Sequence, residues 1–444
     1  MPHSTLPLPS YESMRSHVCK ALWRYWPARQ ADLVTLPIEA SQGVTISGPL
    51  KLRSIRLPNW AAEYGIDGAL LVPTDACSRD DDWQRVDWWL GTFLLLECWH
   101  ERTWELHHGP IHSYSFRLKG WDTRAWEHAW VNRIALFMRV WAAREQAKAA
   151  NELFGPSPSA EVLMTHDVDA ICKTIPGRLK QGAFNLFNAG RHLAQAEVTK
   201  AFDKVSGAAR LLFGREDGWI FDVLLEQEKQ AGIRAHFNFY ADTRTKTPHR
   251  WLFDPGYDIL DERVRNLMQK IQEQGGVIGL HPSFDAWNSV NLIRRQRDHL
   301  SNVANQPITN CRQHWLRFSW QDTWRAQEDA GIAHDATLMF NDRPGYRASA
   351  ALAWQPWNQN RGRAHFLTEQ PTVIMDSHFY DYQALDAGER KAAMRRWIDE
   401  TCVVHGQIAV LWHPHTLTKD YGWMQGFQDL LTTLSEKTPC AHLH

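Results

Sequence analysis

From Glu161 onward, short apolar runs alternate with longer stretches in which apolar residues recur every three to four positions. EVLMTHD at 161–167 is the first short run. RAHFNFYAD, Arg234 to Asp242, places Ala235, Phe237 and Phe239 on one side with a period of two, as a strand requires. GVIGLHPS from Gly276, ITNCRQHWLRF, IAHDATLMF, PTVIMDSHF and QIAVLWHP continue the series. Between them lie helical patterns at Ile220–Gly232, Val264–Gly275, Trp320–Ala330, Glu389–Val404 and Met424–Lys437. About seven strand-helix units in one register predict an α/β fold with a parallel sheet, closed into a barrel rather than left open. In such barrels chemistry sits at the C-terminal ends of the strands.

NELFGPSPSA, residues 151–160, breaks both periodicities and reads as a linker. Residues 1–150 then form a smaller mixed α+β domain and residues 161–444 the barrel. Within the first, Gly68–Val72 reads as a strand. VDWWLGTFLLLECWHE, Val86–Glu101, reads as one buried helix, too short for a bilayer, which takes about 20 apolar residues. Apolar spacing from Trp126 through Trp130, Ile134, Phe137, Met138 and Trp141 predicts an amphipathic helix packed on the barrel.

Composition narrows the function. The 49 basic and 50 acidic residues nearly cancel, so no global field favours nucleic acid or an acidic membrane. Seven scattered cysteines without a CxxC pair read as reduced thiols. With no export signal in the proline-containing N-terminus, the expected compartment is the cytoplasm. The 23 tryptophans read mainly as large packing residues, although their faces can also stack on sugar rings.

The predicted strand ends carry a row of chemistry: Asp167 and Asp169, His281, Arg312 and His314, Asp335, Asp376 and His378, His413 and His415. Asp167 and Asp169, two apart on an extended segment, project to the same side and can share a pocket. One can bind a divalent metal while the other stays free as a general base. His281, directly after an apolar strand, is the second ligand candidate. The third is His314 or Asp285, the imidazole being preferred. Such a set with open positions suits zinc or a neighbouring divalent ion holding a water. A histidine of the terminal LWHPH can donate a proton to a leaving group. Base, metal and acid together describe hydrolysis of a carbonyl derivative, and an amide needs all three because the amine leaves only when protonated.

The order THDVDA, GLHPS, CRQHW and VLWHP resembles the polysaccharide deacetylase superfamily, the NodB-homology domains of carbohydrate esterase family 4, over about Glu161 to His444. FLLLECWHE followed by HHGPIHSYSFRLKGW resembles, more weakly, an extra domain that precedes the barrel in one bacterial subgroup. The resemblance implies a distorted (β/α) barrel that removes acetyl groups from sugars. It implies Asp167 as the base, Asp169 and His281 as metal ligands, Arg312 as the residue orienting the base and His413 as the general acid. Two departures stand out. Asp285 replaces the further histidine of the second motif, and His314 replaces the proline of the third.

An insertion at about 173–216 carries Lys173, Arg178, Lys180, Arg191, Lys200, Lys204, Arg210 and Arg215 against few acids. It reads either as an amphipathic lid for a phosphorylated or lipid-linked sugar, with peripheral membrane contact, or as a solvated helical pair packed on the barrel or a partner subunit. The expected function is metal-dependent deacetylation of an N-acylated sugar, nucleotide- or lipid-linked, in cell-surface polysaccharide synthesis such as that of lipopolysaccharide, with zinc as cofactor. The competing expectations are a metal-free amidohydrolase of the allantoinase-like branch and a non-catalytic sugar-binding barrel. Retention of both Asp167 and His413 argues against the last.

Overall fold

The computed structural model describes residues 6–27, 33, 35–78, 82–172, 175–194, 196, 198–213 and 218–437. Strands β1 (Leu52–Arg56) and β2 (Ala69–Pro73) form an antiparallel hairpin before the barrel. The barrel strands are β3 (Glu161–Val168), β4 (His236–Phe239), β5 (Val277–Leu280), β6 (Asn310–Cys311) and β7 (His334–Asp335). After a small antiparallel ribbon of β8 (Trp357–Asn358) and β9 (Arg363–Ala364) come β10 (Thr368–Glu369), β11 (Thr372–Met375) and β12 (Gln407–Leu411). The eight-stranded sheet runs β10-β7-β6-β5-β4-β3-β12-β11, parallel throughout.

Its two edges belong to one stretch of chain. Only Gln370 and Pro371 separate β10 from β11. Gln370 N–H donates to the Asp335 carbonyl on one side, and the Pro371 carbonyl accepts from Ala409 N–H on the other, both at 2.8 Å. Proline cannot donate to a ladder, so the run changes partners there. Counted this way, seven strand positions surround a distorted barrel, the expected number.

Two strands are shorter than their apolar patterns predict. The runs around Cys311 and Asp335 pair over two residues each. Beyond them Phe318 and Phe340 are buried in loops under the N-terminal region, where Phe340 lies 4.6 Å from Trp126 between ring centroids, while Leu316 and Met339 are buried with Met375 and Leu411 in a cluster of their own. Periodicity recorded burial, and the burial came from packing rather than pairing.

The segment expected as one helix over Val86–Glu101 is two, Trp88–Leu96 and Trp99–His108, with Cys98 between them at φ 45°. The break lets the buried Glu97 carboxylate accept from Arg102 Nη2 (2.6 Å), Trp354 Nε1 (3.0 Å) and Trp357 N–H (2.9 Å), with His17 Nε2 at 2.7 Å. A buried carboxylate needs such partners, and a straight helix could not bring them together. One turn on, Glu101 accepts from Trp320 Nε1 (2.9 Å) and Glu105 from Trp320 N–H (3.1 Å). The N-terminal region thereby clasps the loop after β6. The helix expected from Trp126 begins at Trp130, after a short turn capped by Asp122. Buried apolar residues of both regions form one continuous cluster.

The insertion folds as two consecutive, mutually packed helices, Ile175–Ala194 and Val198–Phe213. Lys173 and Arg215 lie outside the described residues, as do the side chains of Arg178, Lys180, Lys200 and Arg210. Among the described residues, no helix is long and apolar enough to cross a membrane.

Candidate active site

Strand alternation sorts the THDVDA residues. His166 points away from the barrel mouth, its Nδ1 2.7 Å from the Trp412 carbonyl and its Nε2 2.6 Å from Glu228, where it fastens β3 to its neighbours. Thr165 and Asp167 face inward. Oδ1 of Asp167 accepts from Asn238 Nδ2 (2.8 Å) and Arg312 Nη1 (3.2 Å). The fully buried Arg312 also donates to Thr165 Oγ1 (2.8 Å), the Ala336 carbonyl (2.8 Å) and Thr372 Oγ1 (2.9 Å). Its guanidinium therefore ties β3, the end of β7 and β11 together across the barrel interior. Burial would raise the Asp167 pKa, but His281 and Arg312 overcome it and hold the carboxyl below the usual range.

Asn238 needs room that only glycine leaves. Gly279 is its register partner on β5, and a Cβ there would stand 2.3 Å from Asn238 Oδ1. A side chain at 279 would push away the amide that holds Asp167.

Beside this pair, Asp169, His281 and His314 offer ligand atoms that all lie within 4.8 Å of one another. Oδ1 of Asp169 is buried and meets no hydrogen bond, although Nε2 of His281 lies 3.3 Å away and Nε2 of His314 3.5 Å away. An orphaned carboxylate oxygen facing two imidazole nitrogens fits a divalent cation. The other ring nitrogens are directed elsewhere. His281 Nδ1 lies 2.8 Å from the Arg312 carbonyl, and His314 Nδ1 faces Asp254 Oδ1 at 3.7 Å. Such outer contacts orient histidine ligands. Burial would raise the Asp169 pKa, but His281, His314 and His413 hold it far below the usual carboxylate range. Burial pushes the His314 pKa down, favouring the neutral ring that a metal ligand must be. His314 reaches the site through a strained turn, with the next two residues, Trp315 and Leu316, at φ 57° and 51°. Left-handed backbone costs such residues ~1–2 kcal/mol each and clusters at functional sites.

Across the mouth, His413 follows β12. Its Nδ1 lies 2.8 Å from Asp376 Oδ1, and its backbone N–H donates to Oδ2 at 2.9 Å. Its Nε2 turns into the cavity, 3.7 Å from Asp169 Oδ2. Burial works against the imidazolium, but Asp376, with Asp169 and Asp167 behind it, raises the pKa to about 10.

Other rim candidates lie elsewhere. Asp335 points outward and is held by Trp324 Nε1 (3.0 Å) and Gln327 Nε2 (2.8 Å), because its strand side alternates away from the mouth. His378 is turned inward to the Phe340 carbonyl at 2.9 Å, where burial lowers its pKa to about 4. Asp285, the other candidate for third ligand, is 45 % exposed and faces His249 and Arg317 at 3.8 and 3.7 Å. The short helical turns after β5 carry it away from the rim. His415 lines the cavity, its ring 5.7 Å from that of His413. Sequence reasoning missed Asn238 and Asp254 and gave Asp376 no role. Asn238 does sit in the alternating run of β4, two residues after His236, where an inward polar residue was a signal.

Asp167, Asp169, His281, His314, Asp376 and His413 floor a cavity of about 350 Å³. Leu316, Met375 and Leu411 give it an apolar wall and, with Met339, form a small cluster apart from the main core. Tyr114 from the N-terminal region and Asn185, Asn188 and Arg191 from the insertion complete the rim.

No family model matches the chain, and no curated protein matches it. Solved structures do. A protein from Mycobacterium smegmatis described as a polysaccharide deacetylase aligns at 14% identity with a TM-score of 0.37, over 63% of this chain and 85% of that one. A chitin deacetylase from the fungal pathogen Colletotrichum lindemuthianum aligns at 13% and 0.32, over 64% and 84%. Puue allantoinase aligns at 11% and 0.36, over 66% and 90%. Polysaccharide deacetylases, whose motifs the sequence resembles, are thus among the solved structures similar to this chain.

Proposed function

We propose that the protein is a metal-dependent hydrolase that removes an acyl group from the nitrogen of an acylated sugar. The observation that carries this reading is the unpartnered, buried Oδ1 of Asp169 facing two imidazoles, with a separately anchored carboxylate and imidazole on either side. Asp169, His281 and His314 would hold a divalent cation, zinc in our reading, which when bound supplies Lewis-acid polarisation of the acyl carbonyl and of water.

Asp167, fixed by Asn238 and Arg312, takes the proton of the attacking water. Its lowered pKa keeps it ionised and ready to accept. His413 brings a proton on Nε2 to the departing amine, and Asp376 keeps the other nitrogen engaged so that Nε2 points at the substrate. Amines leave only when protonated, so an amide makes use of both groups. Leu316, Met375 and Leu411 offer an apolar wall for the acyl chain. The sequence resemblance and the scattered cysteines extend the proposal to a cytoplasmic step of cell-surface polysaccharide synthesis, such as that of lipopolysaccharide.

The test is metal analysis of protein purified without chelator, together with release of acetate from N-acetylated sugars. Stoichiometric metal, and activity lost on chelation and restored by zinc, would support the reading. Full activity in metal-free protein would overturn it in favour of a metal-free amidohydrolase.

A further inference from the structure

Among its described residues, the insertion hairpin turns an unusual number of large apolar side chains to solvent. Among the described side chains and glycines of Ile175–Ala194 the buried ones are small or polar: Gly182, Asn185, Asn188 and Ala189. The large apolar side chains described there face solvent instead: Leu179, Leu186, Phe187 and Leu193 are 55, 49, 70 and 56 % exposed. The second helix repeats the arrangement with Val198, Phe202 and Val205 at i, i+4 and i+7, 67, 70 and 45 % exposed. These spacings put each set on one helical face. Barrel helices do the reverse, as in Glu262–Glu273, which buries Val264, Leu267, Met268 and Ile271.

Seven of the seventeen large apolar side chains exposed among the described residues thus fall between Leu179 and Val205. Scattered singly they would mean little, but here they fall in one stripe on each of two helices packed together, which offers an apolar surface for contact. Charge says what it contacts. From Lys173 to Arg215 the sequence holds eight basic residues against Glu197 and Asp203, a net +6 in a chain whose total is −1. An apolar stripe within a basic segment complements an anionic lipid surface, where cations meet phosphate and apolar groups enter the acyl boundary. The cores of protein interfaces, by contrast, are depleted in lysine.

The hairpin also belongs to the catalytic mouth. Asn185, Asn188 and Arg191 line the cavity, and Lys204 pairs with Asp381, just past the helix that begins with Asp376. Phe187 lines the cavity as well as being exposed.

We propose that the hairpin docks in the plane of an anionic lipid surface and holds the cavity mouth against it. Docking stands independently of the chemistry; that the acylated sugar is carried by a lipid in that surface rests on the proposed hydrolase function.

The test is co-sedimentation of the full chain with phosphatidylcholine vesicles, with and without phosphatidylglycerol, at low and high salt. We expect binding to the anionic vesicles, weaker by about tenfold or more without the anionic lipid and weakened by salt. The double variant Leu186→Glu/Phe202→Glu should lose that binding by about tenfold or more while keeping the wild-type melting curve, since both side chains are exposed. If the double variant melts early, Leu193→Gln serves as the milder change and should also bind more weakly. Failure of the wild type to bind anionic vesicles, or full binding by the variants, overturns the proposal. So does self-association that the variants abolish in the absence of vesicle binding, which would make a second copy the occupant. None of these readouts uses turnover, so failure here is distinguishable from failure of the hydrolase reading.

Discussion

The two sides of the barrel mouth use the same side chain differently. On the β5–β6 side, His281 places Nδ1 on a neutral backbone carbonyl and His314 faces Asp254 at longer range, and both direct Nε2 at the unpartnered oxygen of Asp169. On the β12 side, His413 places Nδ1 on the buried carboxylate of Asp376. A neutral or distant partner leaves an imidazole free to give up its second proton to a cation. A close, desolvated carboxylate makes the ring keep it, so Asp376 raises the His413 pKa to about 10 against burial, whereas burial lowers that of His314; Asp167 and Asp169 raise that of His281, which therefore gives up its proton only to a cation that neutralises them. Histidine at a strand end is therefore ambiguous until the atom behind Nδ1 is known.

The comparison breaks first at its metal side. Asp169→Ala and His281→Ala should each strip bound metal and abolish hydrolysis, since a primary ligand carries both the binding energy and the activated water. Elemental analysis of the purified variants checks this, and full occupancy in both would remove the assignment.

On the other side, His413→Ala should keep its metal and lose a factor on the order of 10² to 10⁴ in kcat on an N-acetyl sugar. An ester with a good leaving group should be largely spared. Asp167→Asn, nearly isosteric and no longer basic, should slow both substrates by a comparable factor. If His413→Ala instead loses metal, His413 is a ligand and the two sides are not distinct.

A smaller effect sharpens the contrast. Asp376→Asn removes the carboxylate that holds the His413 proton but leaves a hydrogen-bonding group. The alkaline limb of the kcat profile, where His413 loses its proton, should move to lower pH, with metal content unchanged. A limb that stays in place would mean that another group sets it.

The smallest effect concerns stability. His378, two residues past Asp376, is buried neutral with a pKa lowered to about 4 from an ordinary 6.5. Because the folded pKa lies below the unfolded one, the unfolded chain binds the proton first. Stability is unaffected above 6.5 and falls as pH drops from there toward 4, by at most ~3 kcal/mol for this group. His378→Gln cannot titrate, so urea unfolding at stepped pH should show a flatter decline for the variant over that window.

Much of the barrel was legible because parallel strands buried on both faces leave short apolar runs, and the helices between them keep a regular stripe. The row of polar residues at strand ends was legible for the same reason, since a strand that stops leaves its last inward residue at the mouth. The pattern could not separate burial by pairing from burial by packing. It overextended β6 and β7, whose following apolar residues are buried in loops, Phe340 against the N-terminal region and Leu316 at the cavity wall, and it ran one helix through Glu97, where a buried acid required a turn.

What the sequence determined by itself was local: where strands end, which residues alternate onto one face, and that Asp167 and Asp169 share a side while His166 does not. What only the tertiary structure decided was which strand ends meet. His314 rather than Asp285 stands beside Asp169 because two left-handed residues after β6 turn the chain inward, whereas the turns after β5 carry Asp285 into solvent. Asp376 gained its place behind His413 because β11 and β12 are neighbours in the sheet although 31 residues separate them in the chain. Such pairings depend on the closure of the whole barrel, a cooperative property that no window of neighbouring residues contains.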